Sequence, residues 1–309
     1  MVRKFGLLDL FSGIGGFSIG LERSQMFETV AFCEIEKYCQ KVLANHWPKV
    51  PLYEDVTTLS AERLARDGIK VDAICGGFPC QDLSLAGKGA GLEGSRSGLW
   101  KEYARLIGEI RPRYVIVENV SALLSRGLDR VLADLATLRY DAEWHCIPAS
   151  AIGAPHRRDR IWIIAYPSSI GHECDQTEKC GKGATGFHEA SVADTKSLSV
   201  NDGGVYSRFD RQGQETLQEI WESGGCSDPV ASGYRPPILG SIDEYLGPGK
   251  CDSASWWSSE PEIYRVAYGI SNRSHRLKAL GNAVVPQIPE IIGLAIKKHE
   301  EYYTKRLDT

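Results

Sequence analysis

The sequence predicts an α/β fold: a doubly wound, mostly parallel sheet flanked by helices, with a smaller, irregular second module. Three observations predict it. Short apolar runs of strand length alternate with stretches of helical spacing through residues 1–166, the pattern of a parallel sheet covered by helices on both faces. A glycine cluster (Gly13, Gly15, Gly16) sits between the first strand-like run and the first helical one. Beyond Tyr166 the periodicity lapses, and residues 167–262 are rich in Gly, Ser, Asp and Glu, with 7 Lys+Arg against 16 Asp+Glu. That texture is expected of a separate module or long insertion.

Taken in order, Phe5–Phe11 (FGLLDLF) reads as a buried strand that ends in the glycine cluster. Phe17–Gln25 has helical spacing, Thr29–Glu34 is a second strand, and Glu36–His46 a second helix. Val71–Gly76, Tyr114–Glu118 and Ile161–Tyr166 are further β-type runs, and Gly98–Ile110 and Leu128–Leu138 are helical. Ala283–Tyr303 returns to helical spacing and is expected to pack back on the core. The expected division is therefore residues 1–166 with 263–309 as one large domain and 167–262 as the smaller module.

Composition narrows the classes. With 309 residues, 42% hydrophobic and 25% charged, the chain is neither disordered throughout nor fibrous. No run of about 18 apolar residues is present to span a bilayer, and the apolar stretch in MVRKFGLLDLF is too short for a secretory signal. Nine cysteines are too few for a disulfide framework at this length, and an odd count without a signal points to reduced thiols in the cytoplasm. Taken alone, the net charge of −4 argues against a nucleic-acid partner. It is, however, the sum of −9 in residues 167–262 and +5 in the remainder, so it excludes nothing.

Four motifs carry chemistry. In Asp9-Leu-Phe-Ser-Gly-Ile-Gly-Gly-Phe17, glycines between strand and helix let the backbone approach a ligand closely. Glu34 closes the second strand about twenty residues on, a spacing suited to hydrogen bonding a ribose. The plain alternative is a tight turn, and the third glycine of the dinucleotide fingerprint is missing from its usual place. In Gly76-Gly-Phe-Pro-Cys-Gln81, Cys80 follows a buried strand, where parallel sheets present catalytic residues. A thiolate there is a nucleophile, the alternative being a structural thiol. The glycine-rich stretch Leu83–Ser97, with Lys88 and Arg96, reads as a lid. Glu118-Asn119-Val120 ends a strand and reaches the same crevice. In Pro155-His-Arg-Arg-Asp-Arg160, an extended backbone would turn Arg158 and Arg160 to one side, whereas most arginine clusters are solvated surface.

Together these pieces, with Leu280-Gly-Asn-Ala-Val-Val285 near the end, resemble the cytosine-C5 DNA methyltransferase family in identity, order and spacing. The resemblance covers residues 5–166 and about 263–300. It implies a Rossmann-like methyltransferase sheet, S-adenosylmethionine as cofactor, double-stranded DNA as partner, and a monomer that needs no membrane. It implies that the Cys80 thiolate adds to carbon 6 of a flipped-out cytosine and that Glu118 holds N3 and the exocyclic amine. Arg160 with Arg158 would clamp O2 and its neighbours. Phe11, Gly13 and Gly15 would lie against the cofactor's methionine and ribose, Glu34 would take the ribose hydroxyls and Asp55 the adenine amine. Pro79, Asn282 and Val284 would complete that pocket, while Asn119, Ser84, Lys88 and Arg96 would contact the nucleic acid. Residues 167–262 would be the target-recognition region, with Arg208, Arg211 and Arg235 its candidates for guanine or phosphate. Two positions depart from the family pattern: His156 stands where a Gln is usual, and Ile35 where an aromatic residue is common. His172, Cys174, Cys180 and His188 lack a C-x2-C pair, so no metal site is expected. An RNA cytosine methyltransferase on the same scaffold is the alternative reading.

Overall fold

The computed structural model describes residues 3–79, 98–168, 238 and 273–307. All of them belong to one compact unit, residues 1–168 with 236–309; a second unit, 169–235, lies outside the described residues. The strands are β1 (Phe5–Leu10), β2 (Phe27–Cys33), β3 (Leu52–Tyr53), β4 (Ala73–Gly76), β5 (Tyr114–Val120), β6 (Tyr140–Ile147) and β7 (Arg160–Pro167). The helices are α1 (Gly16–Arg23), α2 (Lys37–His46), α3 (Ala61–Arg66), α4 (Leu99–Ile110), α5 (Leu123–Arg126), α6 (Leu128–Thr137), α7 (Arg273–Asn282) and α8 (Gln287–Leu307).

One seven-stranded sheet runs in the order β3-β2-β1-β4-β5-β7-β6. The first five of these strands pair in parallel. β7 pairs antiparallel with both β5 and β6. This is the doubly wound order, with the chain reversing direction on either side of β1. The apolar runs alternate faces residue by residue. Leu8, Ile74, Val115, Val117, Ile161 and Ile163 enter one core with α3, α4 and α6. Leu7, Cys75, Tyr114, Ile116, Trp162 and Ile164 enter the other with α1 and α8. Burial on both faces is why these strands read as near-continuous apolar segments.

Two strands that the sequence does not predict lack this double burial. β6 is an edge strand in which Asp141 and His145 are exposed, and β3 has two residues. The antiparallel setting of β7 is not encoded in periodicity at all. At the C-terminus the single helical stretch expected over 283–303 is preceded by α7, and the two helices are separated at Ala283–Pro286. The span 273–302 is long and apolar enough by composition to cross a membrane. Its isoleucines 288, 291, 292 and 296 are nevertheless buried in the core against α1.

Close approach of α1 and α8 requires Gly20. A Cβ there would stand 2.1 Å from the Pro286 carbonyl oxygen and 2.8 Å from Pro289 Cβ. Gly20→Ala is expected to destabilise the protein by about 1–3 kcal/mol, the usual cost of overpacking a rigid contact. Gly108→Ala in α4, where the new methyl meets only the flexible end of Leu138 at 3.2 Å, is expected to be neutral or stabilising by up to about 1 kcal/mol. Paired urea melts of the two variants check the contrast.

Candidate active site

The C-terminal ends of β1, β2, β4 and β5, the start of antiparallel β7, and α7 enclose one cavity of about 440 Å³. One half is built on β1 and β2. Phe11 follows β1 with φ +54, a strained setting for a residue with a Cβ, and lines the cavity. Gly13, at φ +55 with nothing within 4 Å of an added Cβ, opens its backbone to the same space. Glu34 fixes this loop. Its Oε2 accepts the Gly13 N–H at 2.7 Å and its Oε1 the Glu36 N–H at 2.8 Å. Burial raises the proton affinity of Glu34, and these N–H donors pull it back in part. Asp55 accepts both the N–H and the hydroxyl of Thr57 on Oδ1, at 2.9 and 2.8 Å. Those bonds hold its carboxyl below the usual carboxylate range, and Oδ2 carries no hydrogen bond among the described residues. Cys33 and Cys39 also line this half, where burial pushes their thiols up to about 12 and about 11, too high for nucleophiles.

The other half is built on β4, β5 and β7. Register pairs Val120 with Arg160 and Glu118 with Trp162 across the antiparallel β5–β7 ladder, so the side chains at 118 and 160 meet diagonally. Arg160 Nε donates to Glu118 Oε1 at 2.9 Å. Glu118 is pushed above its ordinary 4.5 by burial, and the charges of Arg160 and Arg158 offset part of this rise. Its second oxygen packs over Gly77, where an added Cβ would lie 2.7 Å away. Arg158 reaches the cavity by a different route from the one expected. It precedes β7 and sits at φ +42, so strand pleating does not aim it. Its Nη2 instead donates to the carbonyls of Gly281 and Ala283, at 2.8 Å each.

Of the residues singled out from the sequence, Phe11, Gly13, Glu34, Asp55, Pro79, Glu118, Asn119, Arg158, Arg160 and Asn282 border this one cavity. Gly15 and Val284 do not. Gly15, at φ +85, lets Trp47 close to 2.6 Å of where its Cβ would be. Val284 packs on Gly16, with its carbonyl oxygen 2.7 Å from an added Cβ there. Both shape the glycine loop from behind. Cys80, Ser84, Lys88 and Arg96 lie outside the described residues, as do His172, Cys174, Cys180, His188, Arg208, Arg211 and Arg235. Among the described residues no cluster of potential metal ligands occurs.

Asn119 is 3% exposed and turned toward backbone. Its Nδ2 donates to the Phe78 carbonyl at 3.1 Å, while its Oδ1 accepts the Val120 N–H at 2.9 Å. It thereby ties β5 to the turn that leads to Cys80. Gly77 and Phe78 also line the cavity, as do Tyr38, His275 and Lys278. Only the first two carried a signal, their place inside GGFPCQ. Asp9 sits behind the glycine loop. It is fully buried, accepts Ser18 Oγ at 2.7 Å on Oδ2, and its Oδ1 has no hydrogen-bond partner among the described residues. Burial pushes it up to about 7, with Ser18 and Cys75 pulling back in part.

Two outcomes follow from these environments. Asn119→Ala leaves the Phe78 carbonyl without its donor and is expected to cost about 1–3 kcal/mol in urea melts. For Asp9, the native protein holds a proton between about 4 and about 7 that the unfolded chain has released. Its contribution to stability therefore falls as pH rises through that window and is level above it. Asp9→Asn does not titrate, so its stability relative to the wild type is expected to rise by roughly 3 kcal/mol between pH 5 and pH 8. An equal difference at both pH values would contradict the assignment.

Comparison with known proteins bears on this geometry. The family model for C-5 cytosine-specific DNA methylase matches residues 5–202. The Type II methyltransferase M2.BsuMI of Bacillus subtilis (strain 168) is 34% identical over 303 residues, which cover 93% of this chain and 74% of that protein. Type II methyltransferase M1.HphI of Haemophilus parahaemolyticus is 36% identical over 252 residues, covering 77% and 66% respectively. A prophage-encoded E. coli protein, described as a DNA modification methyltransferase, superposes with a TM-score of 0.57 over 96% of this chain and all of that one. At 21% identity that likeness speaks to the fold alone. The sequence matches extend through both halves of the cavity, and the chain belongs to the C-5 cytosine-specific DNA methylases, a family of S-adenosylmethionine-dependent methyltransferases.

Proposed function

We propose that this chain methylates carbon 5 of a cytosine flipped out of duplex DNA, with Cys80 as the covalent nucleophile. The observation that carries the reading is the half-buried Glu118–Arg160 pair, 2.9 Å apart, sharing one cavity with the Gly13 loop and Glu34. A carboxyl with raised proton affinity beside fixed guanidinium donors suits a pyrimidine's N3, amine and O2 edge.

The cofactor half fits S-adenosylmethionine. Glu34 offers acceptors for ribose hydroxyls, the unengaged Asp55 Oδ2 offers one for an adenine amine, and Phe11, Val56 and Phe78 supply apolar walls. Bound there, the cofactor supplies a sulfonium-activated methyl group. Carbon 5 of cytosine is a poor nucleophile, and the chain's residues change that. The Cys80 thiolate forms a bond to carbon 6, and electron density moves toward carbon 5. Glu118 holds a proton at N3 and offsets the charge that develops in the ring, while Arg160 and Arg158 hold O2. After carbon 5 gains the methyl it loses its proton, the bond from sulfur to carbon 6 breaks, and the thiolate returns. The target base must leave the stack for this chemistry.

On this reading residues 167–262 choose the target sequence, and the +5 balance outside them meets the phosphates. The chain acts as a monomer in the cytoplasm, without a membrane. Labelled methyl transfer is expected into cytosine of duplex DNA and not into structured RNA, and it is expected to fall by about a thousandfold or more in Cys80→Ser. Label in adenine would overturn the reading. Preference for RNA would overturn its choice of substrate.

A further inference from the structure

Asp55 and Val56, which line the cofactor half of the cavity, lie on the short loop between β3 and α3. That loop is stiff within itself. Asp55 Oδ1 accepts the N–H and the hydroxyl of Thr57, the Asp55 carbonyl accepts the Thr58 N–H at 3.2 Å, and the Val56 carbonyl accepts the Leu59 N–H at 3.3 Å. The turn therefore behaves as one body, and whatever orients it decides where the Asp55 carboxyl points. On one side it continues β3, whose Tyr53 carbonyl accepts the Glu34 N–H at 2.9 Å. On the other side a side chain from α4 holds it. Arg105 Nη2 donates to the carbonyls of Val56 and Leu59, at 3.0 and 2.9 Å. Arg105 is itself set by two acids of its own helix, its Nε donating to Glu102 and its Nη1 to Glu109, each at 2.7 Å. The other oxygen of Glu109 accepts the Ala61 N–H at 3.0 Å, where α3 begins.

We propose that Arg105 is a positioning residue for the cofactor's adenine: it aims the Asp55 carboxyl at the exocyclic amine without touching the ligand. The inference deepens the reading above and rests on its assignment of Asp55 to that amine. Arg105 does not line the cavity, so it acts through the loop. Val56 and Leu59 are buried against the core under α4, which fixes the depth of the turn. Apolar contact is non-directional, however, and leaves its rotation open. Hydrogen bonds weaken steeply away from their preferred angles, so the pair from Nη2 fixes that rotation. An arginine suits the place because one nitrogen serves two carbonyls while Nε and Nη1 remain for Glu102 and Glu109. The guanidinium is 32% exposed and the two carboxylates 28% and 34%, so the acids orient it more than they stabilise the fold. Leu99, at the start of α4, lines the cavity. One helix thus both borders the site and aims the loop.

Isothermal titration calorimetry of the full chain with two ligands separates positioning from general support of the fold. The ligands are S-adenosylhomocysteine and its analogue with hydrogen in place of the adenine amine. The wild type is expected to bind S-adenosylhomocysteine about tenfold more tightly than the analogue, the worth of one hydrogen bond to a charged group. Arg105→Met is expected to weaken S-adenosylhomocysteine about tenfold and the analogue less than about twofold, so that the preference disappears. Arg105→Lys keeps the charge but not the paired donors, and its preference is expected to fall to about threefold. It is the deciding variant should Arg105→Met not fold. Equal weakening of both ligands, or no weakening of either, would overturn the positioning role. A wild type that binds both ligands equally would instead overturn the assignment of Asp55 to the amine. One that binds neither would overturn the cofactor reading, and this inference falls with either.

Discussion

The site depends on the antiparallel seating of β7 against β5. That ladder sets Arg160 opposite Val120, so its guanidinium meets the Glu118 carboxyl diagonally at 2.9 Å. The acid is half-buried and packed over Gly77, where no side chain would fit. Removing a carboxylate from water favours its protonated form, and two nearby guanidinium groups hold that tendency in check. The pair is therefore poised rather than locked. A parallel strand at this place would bring its C-terminal end to the cavity and would carry the arginine away from the acid.

Everything else in the cavity is arranged around that pair by segments far apart in sequence. Gly281 and Ala283 accept from Arg158, 123 and 125 residues away, while their neighbour Asn282 lines the cavity. One short segment near the C-terminus thus both holds Arg158 and lines the cavity. On the opposite side Asn119 ties β5 to the turn before Cys80, and Glu34 ties β2 to the Gly13 loop. The backbone is strained at Phe11 and Arg158, both on the cavity wall. Positive φ at non-glycine residues persists only where surrounding contacts enforce it.

How much of this was legible in the sequence follows from what each residue contacts. β1, β2, β4, β5 and β7 were legible because both of their faces are buried and their apolar runs are unbroken. β6 was not, since an edge strand with exposed Asp141 and His145 resembles a loop. α7 was not either, because RSHRLKALGN buries one residue and carries no apolar stripe. In the site, Glu118, Asn119, Arg158 and Arg160 announced themselves by motif. Their roles were less legible. Asn119 was expected to contact the nucleic acid; it lines the cavity and its amide donates to the Phe78 carbonyl. Arg158 was expected to be aimed by strand pleating and is aimed by distant carbonyls. Gly15 and Val284 were expected on the cofactor; in the structure Gly15 packs against Trp47 and Val284 against Gly16. Each of these depends on partners remote in sequence, which spacing does not report.

In this setting Glu118 binds its proton more tightly than an ordinary glutamate, while Arg160 restrains the rise. Carbon-13 NMR titration of side-chain-labelled glutamate, with Glu118→Gln to assign the signal, measures this directly. A midpoint above 4.5 is expected in the wild type and a higher one in Arg160→Ala. A wild-type midpoint at or below 4.5, or no upward movement when Arg160 is removed, would contradict it.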